Sequence, residues 1–323
     1  MTAARGAPRR APSRRPSRAA VRFDVVGFGV GTVDTVCVLP GPVLGDAKLR
    51  LLDYQIHPGG QVPTALVALQ RWGLRTAYVG ALGSDAGGLM QRRDLQDAGV
   101  DVSAARRRRA IASQTSIVLV DAVTGARSVL WQRPEGLALR ADELDRRVLC
   151  AGRALLLDAD DADTALHAAA WARAAGALVM LDVDIPGPQT AALLTHSDVV
   201  IVGDGFPQRH TGRADLAAAL RAMAAAGPRL VAATLGAGGA LAWVDGAPRY
   251  VPAFRVPVVD TTSAGDCFHA GCLYGLLQGW PAARALHFAA AAAALACTRL
   301  GGRPSLPTLP EVAALLASRP ADA

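Results

Sequence analysis

Apolar positions along the chain predict strands that alternate with helices. From residue 154 onward, short runs rich in valine and leucine are separated by longer alanine-rich stretches of helical character. The predicted strands cover residues 154–158, 177–183, 198–202 and 229–235, and the predicted helices cover residues 163–175 and 213–226. Strands that alternate with helices are typical of a parallel sheet with helices on both faces. The pattern therefore predicts a doubly wound, mainly parallel α/β fold that binds its ligands at the carboxyl ends of the strands.

The first half of the chain adds strands that do not follow this alternation. Strands are predicted at residues 23–29, 35–40, 76–80, 115–121 and 128–132, and helices at residues 62–72 and 86–98. A turn at residues 123–126 joins the last two strands into a hairpin. We therefore expect the segments 33–56 and 112–133 to form a small β-sheet lid that covers the binding site.

Length and composition fit one large domain, which we expect to span residues 23–318. The chain has 323 residues, of which 51% are hydrophobic and 19% charged, and this is enough to bury a full core. No window approaches the ~18 uninterrupted apolar residues of a membrane span, so we expect no membrane partner. The five cysteines form no CxxC pair, which argues against a disulfide framework or a zinc site and favours a reducing cytoplasm.

The net charge of +7 comes from the amino-terminal tail. Residues 1–22 hold seven arginines and no acidic residue, which leaves 27 basic and 27 acidic residues in the rest of the chain. Because the tail is rich in arginine, proline, alanine and serine, we expect it to be disordered. Residues 319–323 are expected to form a short carboxyl-terminal tail. The basic amino-terminal tail could contact nucleic acid, but the rest of the chain is formally neutral, so nucleic acid is not an expected partner.

The segment Asp260-Thr261-Thr262-Ser263-Ala264-Gly265-Asp266 places a carboxylate where a turn of small residues enters an apolar stretch. If residues 265–278 form a helix, the backbone N–H groups of Ser263, Ala264 and Gly265 form an anion hole at its positive end. A carboxylate there would repel a bound phosphate, but it could take a proton from a substrate hydroxyl. The segment thus predicts phosphoryl transfer with Asp266 as the catalytic base. The alternative is that Asp266 is an ordinary helix cap.

This segment resembles the second signature of the ribokinase-like (PfkB) family of carbohydrate and nucleoside kinases, usually Asp-Thr-Thr-Gly-Ala-Gly-Asp. Ser263 stands where the signature has its first glycine. The resemblance extends over residues 23–318 and implies a ribokinase-like fold with ATP as the phosphoryl donor. Mg²⁺ would neutralise the triphosphate. Residues 296–305 resemble the family's adenine-side and monovalent-cation loop, and the resemblance implies a K⁺ site at Asp260 and Thr262.

The resemblance also implies which residues hold the sugar. A carboxylate that accepts two sugar hydroxyls suits a polyol, and Asp34 stands where sugar kinases of this family carry an aspartate. Gly59-Gly60 matches the family's Gly-Gly motif, and Gln61 follows it. Asp158, at the carboxyl end of a predicted strand, completes the expected set. Thr64 replaces the asparagine that commonly follows Gly-Gly, which argues against ribokinase itself.

On the nucleotide side, residues 234–239 resemble the family's nucleotide loop, and the expected contacts are Thr234, Gly236 and Gly239. A plain hairpin turn would explain these glycines almost as well. The family often has an Asn-x-x-Glu element that organises magnesium, but here the chain reads Gly203-Asp204-Gly205-Phe206. Asp204 is therefore the substitute metal ligand that the sequence offers.

Together these residues predict ATP-dependent phosphorylation of a primary hydroxyl of a sugar. Three loops look most like those of sulfofructose kinases and ketohexokinases, so we expect a ketohexose or an anionic derivative such as sulfofructose. The arginine run at residues 106–109 would suit an anionic sugar, although a charge run is more commonly a solvated surface.

Two other functions stay open, and one partner is expected. A nucleoside kinase of the adenosine type uses the same scaffold, but an aromatic content of 5% weakly disfavours it. A catalytically silent protein that senses nucleotide or sugar would explain the missing Asn-x-x-Glu, but the intact Asp266 speaks against it. Because lid sheets of this family often pair, we also expect a homodimer.

Overall fold

The computed structural model describes residues 21–43, 45–46 and 48–318. Its strands are β1 (Phe23–Phe28), β2 (Thr32–Leu39), β3 (Asp53–Gly59), β4 (Thr76–Val79), β5 (Ala81–Gly83), β6 (Arg106–Arg108), β7 (Gln114–Asp121), β8 (Arg127–Gln132), β9 (Gly152–Leu157), β10 (Leu178–Val183), β11 (Val199–Gly203), β12 (Leu230–Thr234), β13 (Ala240–Val244) and β14 (Ala247–Val251). Its α-helices are α1 (Gln61–Arg71), α2 (Ala86–Asp97), α3 (Arg146–Leu149), α4 (Ala162–Ala174), α5 (Thr190–His196), α6 (Phe206–Thr211), α7 (Leu216–Ala224), α8 (Ala264–Leu277), α9 (Ala282–Ala296) and α10 (Leu309–Ser318).

The central sheet has eight strands in the order β14-β13-β12-β11-β10-β9-β1-β4. Pairing is parallel from β12 through β4, and β13 and β14 are added antiparallel at one edge. The predicted doubly wound α/β fold is confirmed. Because the strands are parallel, the loops that follow β9, β10, β11 and β12 all open at one edge of the sheet.

Alternating side chains of the central strands supply two separate cores, one on each face of the sheet. On β10, Met180 belongs to the core packed by α1, α8 and α9, whereas Val179 and Leu181 belong to the core packed by α4, α5 and α7. Side chains in a strand alternate in direction, so a run buried on both faces is apolar throughout. This burial explains why the central strands could be recognised from the sequence.

Helix α8 is fixed in position by a close approach to α9. A Cβ atom at Gly271 would lie 2.7 Å from Cα of Ala289, and one at Gly275 would lie 2.8 Å from Cα of Ala285. Such distances leave no room for a side chain, so the two glycines allow the helix backbones to touch. The tight packing sets where the amino-terminal end of α8 lies relative to the sheet.

A second, four-stranded sheet stands over the strand ends in the order β3-β2-β7-β8. Strands β2 and β7 pair in parallel, while β3 and β8 pair antiparallel with their neighbours. Its inner face carries a small apolar cluster of Val36, Val118 and Val120, against which Leu300 packs. The small β-sheet lid of the predicted fold is therefore present.

Some local predictions need correction. The arginine run, for which a solvated surface was the more common interpretation, forms β6 at residues 106–108 and pairs with β5, with Arg106 and Arg107 exposed and Arg108 partly buried. Arg108 forms an ion pair with Glu143 at 2.5 Å, and this guanidinium lowers the pKa of Glu143 to about 2. Helix α7 begins at Leu216 and not near residue 213, because the carboxylate of Asp215 accepts a hydrogen bond from the Ala218 N–H and caps it.

The chain ends fall largely outside the described residues. Residues 1–20 and 319–323, for which tails were expected, are not among them. Arg22, which the expected tail included, forms an ion pair with Asp101 at 2.9 Å. In the described ranges, no helix is long and apolar enough to cross a membrane.

Candidate active site

The turn that precedes α8 is tied to the loop after α9. The Asp260 carboxylate accepts hydrogen bonds from the N–H groups of Thr262 and Gly301, both at 2.9 Å. The hydroxyls of Ser263 and Ser305 are hydrogen-bonded at 2.6 Å. Because both ends of the turn are held by a second segment, the start of α8 is preorganised.

Several backbone N–H groups at the start of α8 have no acceptor. Among the described residues, the N–H groups of Ser263, Gly265 and Asp266 donate no hydrogen bond, whereas the N–H of Ala264 donates to the Thr261 carbonyl at 3.3 Å. The expected anion hole was Ser263, Ala264 and Gly265, so the set differs by one residue. The difference arises because the Ala264 N–H already bonds within the turn, to Thr261. The N–H groups of Gly265 and Asp266 then remain as free donors at the helix end.

Asp266 lies in the first turn of α8, beside these free donors. Its side chain is half-buried, and its carboxylate accepts no hydrogen bond from any described residue. The carboxylate is therefore not a helix cap, which was the alternative interpretation of this segment. Burial raises the pKa of Asp266 well above its ordinary value, and the nearby Asp182 raises it further. A carboxylate with free oxygens and a raised pKa is suited to accept a proton.

Asp34 projects from β2 on the inner face of the lid sheet. Its Oδ1 accepts hydrogen bonds from the hydroxyls of Thr32 and Ser116, both at 2.6 Å. Its Oδ2 lies directly over Gly59, where a Cβ atom would be 1.8 Å away. Asp34 is therefore held through Oδ1, while Oδ2 packs over Gly59 and accepts no hydrogen bond from a described residue.

The other residues assigned to the sugar lie around the entrance of α1. Gly60 has a φ of 95°, and a Cβ atom there would lie 2.2 Å from the Val30 carbonyl oxygen, so only glycine fits. The Gln61 amide donates to the Asp184 carboxylate at 2.5 Å. Asp158 is 2% exposed and accepts a hydrogen bond from the Val30 N–H at 2.8 Å. The Asp158 carboxylate thus holds the loop after β1 in place through the Val30 N–H.

The residues assigned to the nucleotide lie at the same edge of the sheet. Thr234 ends β12, and Gly236 and Gly239 shape the turn that follows, with φ values of 56° and 83°. No atom lies within 4 Å of a Cβ position at Gly236, so open space lies in front of it. Asp204 is exposed directly after β11, while Phe206 is buried in the core.

The lid contacts the turn before α8 (residues 260–263) through the tip of its β7–β8 hairpin. Arg127 donates a hydrogen bond to the Thr261 hydroxyl at 3.1 Å. A Cβ atom at Gly125 would lie 2.6 Å from Val258. The hairpin therefore brings a cation close to the anion hole. The charge of Arg127 offsets part of the rise that burial causes in the pKa of Asp266.

Comparison with known proteins identifies the family. Residues 30–309 match the model of the pfkB family of carbohydrate kinases. The chain belongs to this family. It is an ATP-dependent carbohydrate kinase, as the sequence predicted.

Individual relatives of the kinase agree with this assignment. It is 31% identical over 285 residues to an ATP-dependent ribose-1-phosphate kinase of Halopiger xanaduensis, covering 85% of this chain and 91% of the relative. It is 29% identical to fructokinase-1 of Zea mays, covering 92% and 99%. The solved structure of fructokinase with bound ATP from Xylella fastidiosa is similar, with a TM-score of 0.78 at 26% identity, covering 92% and 99%.

Sequence reasoning did not find every polar group of the kinase's site. Thr32 and Ser116 support Asp34. Gln114 on β7 lies opposite Thr32 of β2, and its buried amide oxygen has no partner among the described residues. Residues two apart on β2 share a face, which could have indicated Thr32. The partners on β7 depend on a strand pairing that local pattern does not specify.

Proposed function

We propose that this kinase transfers the γ-phosphoryl group of ATP to a primary hydroxyl of a ketohexose. One observation carries the proposal: the free carboxylate of Asp266 stands beside N–H groups that have no acceptor. Asp266 takes the hydroxyl proton, and the hydroxyl oxygen forms the new bond to phosphorus as the bond to ADP breaks. The N–H groups of Ser263, Gly265 and Asp266 stabilise the charge of the transferring group.

The sugar is held between the lid and the strand ends in this proposal. Asp34 accepts hydrogen bonds from sugar hydroxyls through Oδ2, and Gly59-Gly60 lets the backbone come close. Gln61 completes that side of the site, and the buried Asp158 contributes by holding the loop after β1 in place. The segments 33–56 and 112–133 act as the lid, which excludes water from the reacting groups.

The nucleotide is expected to lie between the turn after β12 and the start of α8. The turn with Thr234, Gly236 and Gly239 and the start of α8 border it, and no atom lies within 4 Å of a Cβ position at Gly236 or Gly265. Among the described residues, no cluster of three or more metal-ligating side chains is found. Mg²⁺ bound to ATP needs only one or two protein carboxylates, a role that Asp204 can fill, and it would neutralise phosphate charge.

The charges around the site favour a neutral sugar over an anionic one. Arg106 and Arg107 donate to carbonyl oxygens, Arg108 pairs with Glu143, and Arg133 pairs with Asp161 at 2.6 Å. Arg108 and Arg133 are already paired with carboxylates, so an anionic sugar would have to compete with these partners, whereas Arg106 and Arg107 donate only to neutral carbonyl oxygens. The similarity to fructokinases supports fructose as the first ketohexose to test.

A substrate panel tests the proposal. ADP release is measured with fructose, sulfofructose, ribose, ribose 1-phosphate, ketodeoxygluconate and adenosine, and the Asp266→Asn variant serves as the blank for contaminating kinases. We expect the highest kcat/KM with fructose. A preference for sulfofructose or ribose 1-phosphate would show that an anion is recognised, and a preference for adenosine would establish a nucleoside kinase.

We also propose that the lid sheet forms a homodimer. Its outer face carries the row Ile56, Thr35, Ile117 and Leu130 across the four strands, and the three apolar side chains of this row are each about half exposed. Exposed apolar side chains grouped on one face are typical of an interface. Light scattering should give the mass of two chains, and Ile117→Lys should shift it toward one chain. A wild-type mass of one chain at all concentrations would contradict the proposal.

Two further predictions from the resemblance stay untested. The K⁺ site was assigned to Asp260 and Thr262, but the Asp260 carboxylate is already occupied by hydrogen bonds from Thr262 and Gly301. Any bound K⁺ would therefore share Asp260 with these donors. The cytoplasmic location stays a prediction from cysteine usage, and the five cysteines are free thiols.

A further inference from the structure

His269 lies one helical turn after Asp266, and its side chain is enclosed between α8 and the sheet. The residue is 5% exposed. Its Nδ1 lies 2.8 Å from the carbonyl oxygen of Gly265, and its Nε2 lies 3.1 Å from the carbonyl oxygen of Ile201 on β11. Nε2 also lies 3.4 Å from Oδ1 of Asp182 on β10. Each ring nitrogen of His269 thus faces oxygen atoms.

Backbone carbonyl oxygens only accept hydrogen bonds, so each of these two ring nitrogens must donate a proton. A neutral imidazole has a single N–H, whereas the imidazolium has two. From this geometry we infer that His269 is held as a buried imidazolium, with Asp182 as its counterion, and acts as a positioning residue for the charge of Asp266.

The alternative arrangement fits the distances less well. Burial raises the pKa of Asp182 well above its ordinary value, which favours the alternative in which protonated Asp182 donates to Nε2 of a neutral ring. The lone pair of Nε2 would then face the Ile201 carbonyl oxygen at 3.1 Å, with no proton between them. In a buried site that repulsion is not screened by water. The imidazolium satisfies the Ile201 carbonyl, the Gly265 carbonyl and the Asp182 carboxylate together.

The consequence concerns the protonation state of the proposed base, so this inference rests on the proposed function. The charged groups that face Asp266 are Asp182 from β10, Asp184 just after β10, Arg127 from the lid and His269 from its own helix. The two aspartates favour protonated Asp266, and the two cations favour the carboxylate. Without the imidazolium, Asp182 would stand beside Asp266 without a buried counterion, and Asp266 would hold its proton to higher pH.

Nitrogen NMR of the wild-type enzyme tests the protonation of His269 directly. The protein is labelled with ¹⁵N-histidine, and the His269→Asn variant identifies the signal. At pH 8 we expect two protonated ring nitrogens for His269 in the wild-type enzyme. In Asp182→Asn, which removes the counterion, the second ring proton should be lost at lower pH. A single protonated ring nitrogen in the wild-type enzyme would overturn the inference.

The pH profile of kcat/KM tests the effect on catalysis. Because Asp266 must lose its proton to act as a base, activity rises with pH through the pKa of Asp266. His269→Gln removes a nearby cation, so the acid limb should move up by about one pH unit. His287→Gln is the control, because His287 lies on α9 and packs against Phe254, with ring centroids 5.1 Å apart and the rings tilted by 49°. An acid limb that stays in place in His269→Gln would overturn the positioning role.

The two measurements separate this inference from the proposed function. If Asp266→Asn is as active as the wild-type enzyme, the proposed function fails, yet the NMR result still decides whether His269 is an imidazolium. If Asp266→Asn is inactive and His269 carries one ring proton, the proposed function stands and only the inference about His269 fails.

Discussion

Replacement of Asp266 by asparagine lowers kcat by about 10²–10⁴-fold, which is the usual contribution of a positioned general base. Asparagine has nearly the same shape, so the helix and the neighbouring N–H groups should be preserved. Because the carboxylate has no hydrogen bond among the described residues, its loss removes no structural contact. We therefore expect the unfolding temperature to be equal to or higher than that of wild type, because a buried carboxylate no longer has to ionise. ATP affinity should be unchanged or higher, because asparagine does not repel the phosphates, while turnover is lost.

The matched control for this variant is Asp163→Asn. Asp163 also lies in the first turn of a helix, α4, but it is exposed and far along the chain from the turn before α8. This variant should keep wild-type kcat. Near-normal turnover in Asp266→Asn would rule out Asp266 as the base, whatever the behaviour of the control.

Replacement of Asp34 by asparagine should lower kcat/KM for the sugar by about 10²-fold, because a hydrogen bond to a charged group is lost and a sugar hydroxyl is left unpaired. The Oδ1 side can still accept from Thr32 and Ser116, so the lid should stay folded. The Oδ2 position, however, would present an N–H₂ group where a hydroxyl needs an acceptor. The affinity for ATP should not change.

Steady-state kinetics with varied sugar at saturating ATP measure this effect. Asp53→Asn provides the comparison, since Asp53 is an exposed aspartate of β3 in the same sheet. Its kcat/KM should match that of the wild-type enzyme. A value for Asp34→Asn within twofold of wild type would place sugar recognition elsewhere.

The sequence was sufficient for the features that depend on local pattern. Strands buried on both faces, such as β11, are short and apolar, and β10 is interrupted only by Asp182. The segment from Asp260 to Asp266 carries its chemistry in consecutive residues. Both were therefore recognised without knowledge of tertiary contacts. The carboxyl-end rule for parallel sheets then brought the site residues to one edge.

Features that depend on long-range pairing were not accessible in this way. The support of Asp34 by Ser116 spans 82 positions in the chain and depends on the pairing of β2 with β7. The contacts of His269 could not be predicted from the sequence, since they depend on β10 and β11 passing beside α8. The ion pair of Arg108 on β6 could not be predicted either, because its partner Glu143 lies 35 positions further along the chain.

The central claim is that Asp266 and the free N–H groups of α8 transfer a phosphoryl group to a sugar. The most direct measurement is a ³¹P NMR time course with ATP, Mg²⁺ and fructose, run in parallel for wild-type enzyme and Asp266→Asn. In the wild-type sample we expect ADP and one sugar phosphomonoester to form in equal amounts. In the Asp266→Asn sample at the same protein concentration, neither should form in that time. Equal phosphomonoester in both samples, or ADP with free phosphate and no phosphomonoester in the wild-type sample, would contradict the claim.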